Sequence, residues 1–167
     1  MKKFSGFTVI ELMVTIAVAG VLMAIAAPAF RDALASYRLT TLVNELVAAT
    51  HFSRGEAIKL NRQVSLCRAA AANSNDCAGG AGATWENWVV SDNTNGIRRG
   101  SPAQLGNDFR VVSTFGGDTI TYTPDGLPTA NGQITACTTL AITENRRLIA
   151  IGPGNRVSVT RAAGACP

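Results

Sequence analysis

Glu11 heads an apolar stretch, residues 12–30, in which 19 consecutive positions carry no charged side chain. A carboxylate beside such a stretch is costly in a bilayer unless a cation meets it, so the chemistry open to it is charge pairing. The four cysteines, Cys67, Cys77, Cys137 and Cys166, are an even number, which suits two disulfides in an oxidising compartment. A four-cysteine zinc site is disfavoured because no pair has CxxC spacing. Three pairings are open. The favoured one joins Cys67 to Cys77, stapling a glycine-rich loop, and Cys137 to Cys166, tying the C-terminal tail to a central strand. Beyond Glu144 there is no further acid, while Arg146, Arg147, Arg156 and Arg161 follow. On a hairpin several of these could share one face and grip phosphates without reading sequence.

Little else offers catalysis. His51 is the single histidine, and the 11 acidic residues are scattered. No serine or cysteine has an evident histidine partner, and the glycines of 79–82 are not followed by Lys-Ser/Thr, so there is no P-loop. The segment from Ser91 fails as a calcium loop, with serine at its first position and Pro102 at its twelfth, where a bidentate glutamate is needed. No catalytic residue, metal or cofactor is expected, and the chain does not read as an enzyme. At 167 residues it is one domain's worth of sequence, and 47% apolar against 16% charged content excludes a disordered polyampholyte.

These side chains need elements to hold them. As a helix, residues 12–30 span roughly 28 Å, close to a bilayer's hydrocarbon core. Lys2 and Lys3 precede the stretch and would keep the short N-terminal end cytoplasmic, sending the bulk of the chain across. Those two lysines also supply half of the +4 net charge, so the remainder is only modestly basic. A cleavable secretory signal or simple anchor has the same outline, and Ala26, Ala27 and Ala29 imitate a cleavage site. Pro28 and Phe30 spoil that junction, and Glu11 has no place in either plan.

After Phe30 the pattern becomes amphipathic, with Leu34, Leu39, Leu42, Val43, Leu46, Val47 and Ile58 at three- and four-residue spacings. One helix is expected from about residue 7 to about residue 60, with His51 an ordinary surface or half-buried position on it. Then short β-branched and aromatic runs predict strands at 63–68, 85–91, 109–115, 119–123, 133–142, 146–151 and 156–161. Asn95-Gly96, Asp125-Gly126 and Asn131-Gly132 read as turns, and the alanine- and glycine-rich segment 69–84 as a surface insertion. The order predicts an α+β domain, a long helix packed on antiparallel sheet.

The stretch KKFSGFTVIELMVTIAVAGVLMAIAAPAF resembles the class III leader and N-terminal helix of type IV pilins and type II secretion pseudopilins. The resemblance implies that a prepilin peptidase cuts after Gly6 and methylates Phe7. Glu11 becomes the fifth mature residue, and Pro28 stands where many pilins kink. A new ammonium at Phe7 and a carboxylate four residues on share one helical face, so Glu11 can pair with its own amine or an incoming neighbour's and set axial stagger. Ala17, Ala19, Gly20, Ala24, Ala26 and Ala27 suit close helix packing. The organisation implied is a leader at 1–6, a transmembrane assembly helix at 7–30, and a periplasmic pilin-like domain at 31–167.

HFSRGEAIKLNRQVSLC, ITYTPDGLPT and NRRLIAIGPGNRVSV, in that order, resemble the GspH/FimT minor pilins and pseudopilins. The implied function is a minor pilin that initiates or caps a type IV pilus by noncovalent helix packing. Its partners would be other minor pilins, the major pilin, the prepilin peptidase and the bacterial inner membrane. A type II secretion pseudopilus tip is one alternative, and DNA binding for natural transformation is another. For DNA, some FimT-like proteins use a Gly-Arg-x-Arg motif; here the step reads Asn155-Arg156-Val157-Ser158, so Arg156 carries over and the second arginine does not.

Overall fold

The computed structural model describes residues 7–80, 82–92, 96–100 and 106–167. Helix α1 spans Val9–Leu60. Its end is a left-handed cap: Asn61 has φ +49°, Asn61 N donates to Ile58 O, and Arg62 N donates to Ala57 O, both at 3.3 Å. Two of the last orphan carbonyls are thereby satisfied, and asparagine tolerates the left-handed conformation.

Eight strands follow among the described residues: β1 (Val64–Arg68), β2 (Trp88–Ser91), β3 (Gly96–Gly100), β4 (Phe109–Ser113), β5 (Thr119–Tyr122), β6 (Gly132–Thr138), β7 (Arg146–Gly152) and β8 (Arg156–Ala162). They form two four-stranded antiparallel sheets, ordered β3-β2-β1-β5 and β4-β6-β7-β8. The predicted α+β class, a long helix on antiparallel sheet, is what the chain adopts.

Two compact units are distinguished, Met1–Leu34 and Ala35–Pro167. In the second, Ala35, Leu39, Leu42, Val43, Leu46, Ala49, Ser53 and Ala57 form the buried stripe of α1. Its last turns bury small residues, and Ile58 is half exposed, because a stripe running through Ser53 and Ala57 has turned away from position 58. The buried hydroxyls of Thr50 and Ser53 bond back to Leu46 O and Ala49 O at 2.9 and 2.8 Å, so neither is left unsatisfied. The core these residues share draws on both sheets, with Leu66, Trp88 and Ile120 from one and Val111, Ile134 and Ile149 from the other.

Several strand boundaries move for a physical reason. Residues 85–87 do not extend β2; Trp85 N donates to Val111 O at 2.7 Å, leaving one sheet to cap the β4 edge of the other. The expected strand 133–142 stops at Thr138, where Thr138 N bonds Asn145 O and the chain turns back toward β7. β3 was not expected at all, since Gly-Ile-Arg-Arg-Gly lacks β-branched alternation. Gly100 faces Trp88 in register, and a Cβ there would overlap the indole ring and Glu45 Oε1, so glycine is what allows the pairing. Gly96 opens β3, whereas Asn95 of the expected Asn95-Gly96 turn lies outside the described residues. Asp125-Gly126 is a turn, with Gly126 N bonding Thr123 O at 2.8 Å and Gly126 at φ +73°. Asn131-Gly132 instead leads extended chain from the first sheet into β6 of the second.

The disulfides are Cys67–Cys77 and Cys137–Cys166, with Cα separations of 5.5 and 5.6 Å. The first lays the alanine-rich loop on the outer face of the first sheet, where Cys67, Ala69 and Val89 form a small second core. The second holds the C-terminal tail across the outer face of the other sheet. The Asn145 amide clamps that tail by donating to Gly164 O at 2.8 Å and accepting from Gly164 N at 3.1 Å.

Tyr122 is fully buried and its hydroxyl makes no hydrogen bond, so burial pushes its pKa far up against a smaller opposing pull from the Arg54 guanidinium. A phenol whose folded pKa is raised stabilises the fold below the unfolded value of about 10, and that stability is lost as pH rises beyond it. Tyr122→Phe should therefore leave melting temperature near neutral pH almost unchanged while flattening its fall above about pH 10, read by circular dichroism. An unchanged alkaline slope would contradict the assignment.

Candidate functional site

Helix α1 opens with a reciprocal cap. Glu11 Oε2 accepts from Thr8 N and from Thr8 Oγ1, each at 3.3 Å, while Glu11 N donates to Thr8 Oγ1 at 3.3 Å. Thr8 stands just before the first helical residue, so Thr8-Val9-Ile10-Glu11 is a capping box, satisfying donors that the first turn would leave bare. The helix dipole favours a carboxylate at the same place. Glu11 thus has neutral hydrogen-bond donors in its own threonine, in addition to any amine that can pair with its charge. The Thr-x-x-Glu spacing ahead of an apolar run was the available sequence signal. Phe7 is 84% exposed, two residues before the helix begins, and Gly6 lies outside the described residues.

Thr8→Val removes both the acceptor and the side-chain donor of this cap. The expected cost is about 1 kcal/mol of local helix stability. Amide exchange at Glu11, whose N–H loses its Thr8 acceptor, should speed up roughly fivefold in detergent micelles, with residues beyond about Met13 unaffected.

From Val9 to Phe30 the large apolar side chains stand open, Ile10 and Ile25 at 71% and 70% exposure. A helix apolar on all sides and uncovered by its own chain needs lipid or other helices around it. This one is long and apolar enough to cross a membrane by length and composition. Pro28 sits inside α1 without ending it, and Gly20 has open space where a Cβ would be, room that a neighbouring helix can use.

The four C-terminal arginines do form a hairpin, but they do not share one face. β7 and β8 pair Arg147 with Arg161 and Gly152 with Arg156, while Arg146 faces Ala162. Strand alternation then puts Arg147 and Arg161 on the core side and Arg146 and Arg156 on the outer side, at opposite ends of the strands. Arg147 is only 3% exposed; its guanidinium donates to Glu144 O at 2.6 Å, Arg146 O at 3.0 Å and Ser36 Oγ at 3.4 Å. Burial lowers its pKa, the Arg161 charge adds to this, and Glu144 partly offsets both. Arg161 pairs with Glu144 at 3.5 Å. The expected continuous stripe is thus divided two and two.

A family model described as Type II transport protein GspH matches residues 42–162, and one for the prokaryotic N-terminal methylation motif matches residues 1–27. The chain belongs to the GspH family. Among curated relatives, Fimbrial protein Q of Moraxella bovis is 48% identical over 48 residues, 29% of this chain and 31% of that one. A Fimbrial protein of Pseudomonas aeruginosa is 46% identical over 48 residues, with the same shares. This GspH-family chain therefore spans about a third of the length of the curated relatives it matches. Two crystal forms of the Pseudomonas aeruginosa type IV minor pilin FimU share its fold. One has a TM-score of 0.53 at 16% identity, covering 72% of this chain and 91% of that one. The other has a TM-score of 0.57 at 15% identity, covering 75% and 90%. At such identity the likeness is one of fold.

Proposed function

We propose that this GspH-family protein is a minor type IV pilin that initiates or caps the filament. The prepilin peptidase removes residues 1–6 by cutting after Gly6 and methylates the Phe7 amine. Residues 7–30 are the assembly helix, which stores the subunit in the inner membrane, and 31–167 form its periplasmic domain. The observation that carries the reading is a single carboxylate, Glu11, held at the head of an uncovered apolar helix and four residues along the chain from the future N-terminal residue. An incoming subunit's ammonium can replace the Thr8 hydroxyl at that carboxylate, exchanging a neutral contact for an ionic one. Pro28 and Gly20 give the helix places to bend as it packs.

Mass spectrometry of protein from a host with an active prepilin peptidase should find a chain beginning at methylated Phe7. The same protein should co-purify with other minor pilins and, more weakly, the major pilin. A chain still starting at Met1, or one cut near Ala29 and free in the periplasm, would overturn the reading.

A second reading is favoured by the description of the matched family as a type II transport protein. The same assembly chemistry would then serve a pseudopilus tip, and neighbouring genes for a secretion system rather than a pilus would select it. For DNA binding the division of the arginines removes the shared face that would grip phosphates, leaving Arg156 as the residue to test. A salt-sensitive gel shift with the intact protein, lost in Arg156→Ala, would revive it.

A further inference from the structure

We propose that β8, an edge strand of the second sheet, is where another minor pilin docks, adding an extended strand of its own that sets a carboxylate against Arg156. This rests on the minor-pilin reading above. Two four-stranded sheets have four edges, and three of them are closed or cut short. Beside β5 the returning chain supplies partners, with Thr123 N donating to Leu127 O and Thr129 N to Thr121 O, both at 2.9 Å. On β4, Val111 O already accepts from Trp85 N. β3 is five residues long, begins and ends in glycine, and its pairing with β2 shifts register between Val90 and Ser91. Short strands, irregular register and covering chain are the usual means of keeping an edge from pairing with another protein.

β8 has none of them among the described residues. It runs seven residues, Arg156–Ala162, pairs with β7 without a break in register, and contains no proline. The chain beyond it leads away from the open side, because Gly164 is held by Asn145, Cys166 by Cys137 of β6, and Pro167 O accepts from Arg110 of β4 at 3.3 Å. In an antiparallel pair alternate residues turn N–H and C=O away from the partner, so β8 offers such groups to an added strand. Its centre, Val157-Ser158-Val159-Thr160, is uncharged and mostly β-branched, which suits strand pairing.

The side chains of the added strand have defined places. Val159 pairs with the fully buried Ile149 yet is itself 46% exposed, so the apolar face of the sheet runs out at β8. An apolar residue opposite Val159 extends that face, while polar residues lie opposite Ser158 and Thr160 on the other side. Charge selects the occupant. From residue 126 onward one acidic side chain, Glu144, stands against four arginines. Arg147 is enclosed, Arg161 is paired with Glu144, and Arg146 lies against Gly164 of the tail. Arg156 is left exposed and without an ion pair among the described residues. A second copy of β8 has no acid to offer it, whereas a partner strand with an aspartate or glutamate near one end does.

The test follows amide exchange along β8 in the full chain in detergent, alone and in complex with the other minor pilins of its host. Alternate β8 amides, those turned from β7, should exchange about tenfold more slowly when the partners stand at about ten times their dissociation constant, by mass action. Arg156→Glu should weaken the complex about fivefold at low salt and by less in about 0.5 M salt. Val159→Lys, at a half-exposed position, should abolish the protection of β8 while core amides such as that of Ile149 exchange as in wild type. A complex that forms with β8 exchange unchanged would overturn the inference and leave the minor-pilin reading intact. Protection that rises with the concentration of this chain alone, which is self-pairing, would overturn it too, as would protection that survives Val159→Lys. Absence of any complex with minor pilins would instead bring down that reading and this inference with it.

Discussion

Glu11→Ala protein should enter the inner membrane as well as wild type and yet be almost absent from filaments, with incorporation falling by about two orders of magnitude. Insertion is driven by the apolar stretch that follows, which the substitution leaves whole and makes slightly less costly to bury. Assembly is different, because an incoming ammonium placed among apolar helices finds no carboxylate. Removing one member of a buried ion pair costs roughly 3–5 kcal/mol, and about 3 kcal/mol is already a hundredfold in an association constant. Part of the loss could come from the cap, since the Glu11 carboxylate also receives Thr8 N and Oγ1. Glu11→Gln separates the two effects: its amide oxygen still accepts those bonds, but no charge remains to meet the amine. Both variants should be missing from sheared filaments by immunoblot while membrane fractions retain them. Wild-type incorporation of Glu11→Gln would show that capping rather than charge pairing is what assembly requires.

The second large effect is expected at Asp118, which sequence inspection passes over. Its side chain is wholly buried, with Oδ2 3.1 Å from Arg68 Nε and Oδ1 accepting from Gly82 N at 3.3 Å. The same arginine donates to Gly79 O at 2.8 Å. One ion pair thus fastens the loop's glycine stretch, at Gly79 and Gly82, to the turn before β5, while Cys67–Cys77 fastens the loop on the opposite face of the sheet. Asp118→Ala would leave the half-buried Arg68 without its counter-charge and place alanine at φ +51°, where a side chain lacking polar groups is disfavoured. About 3 kcal/mol should be lost, lowering the melting temperature by roughly 10 °C in a domain of this size. Asp118→Asn tolerates the left-handed backbone and keeps an acceptor, so it should lose about half as much. A melting temperature for the alanine variant within about 2 °C of wild type would sink this account of the loop.

Legibility differed sharply between these two carboxylates. Glu11 was conspicuous because one charge beside an apolar run needs no fold to stand out, and its threonine cap could also be seen in Thr-x-x-Glu spacing. Asp118 belongs to a Gly-Gly-Asp turn, and its partner is 50 residues away in sequence, so no local pattern marks it. Arg147 shows the same limit from the opposite side. An arginine on a strand near the C-terminus reads as a solvated cation, yet it is enclosed by two carbonyls of its own turn and by a serine 111 residues earlier. The missed strand β3 is a further case: its pairing depends on the large Trp88 ring lying opposite a residue that has no side chain.

Taken by itself, the chain's order of residues determined a single long helix with an uncovered apolar first half, a stripe on its second half, and a strand-rich remainder. Spacing of three and four, alternation of two, and turn residues all act within a few positions, so they survive without knowledge of distant neighbours. Only the tertiary structure decided how the strands of the described residues divide between two sheets, which arginine is enclosed and which is exposed, and what restrains the alanine-rich loop. Those outcomes follow from which distant groups meet once apolar surface is buried. A guanidinium or a buried acid is stable only where a partner from elsewhere in the chain has been brought within hydrogen-bond reach.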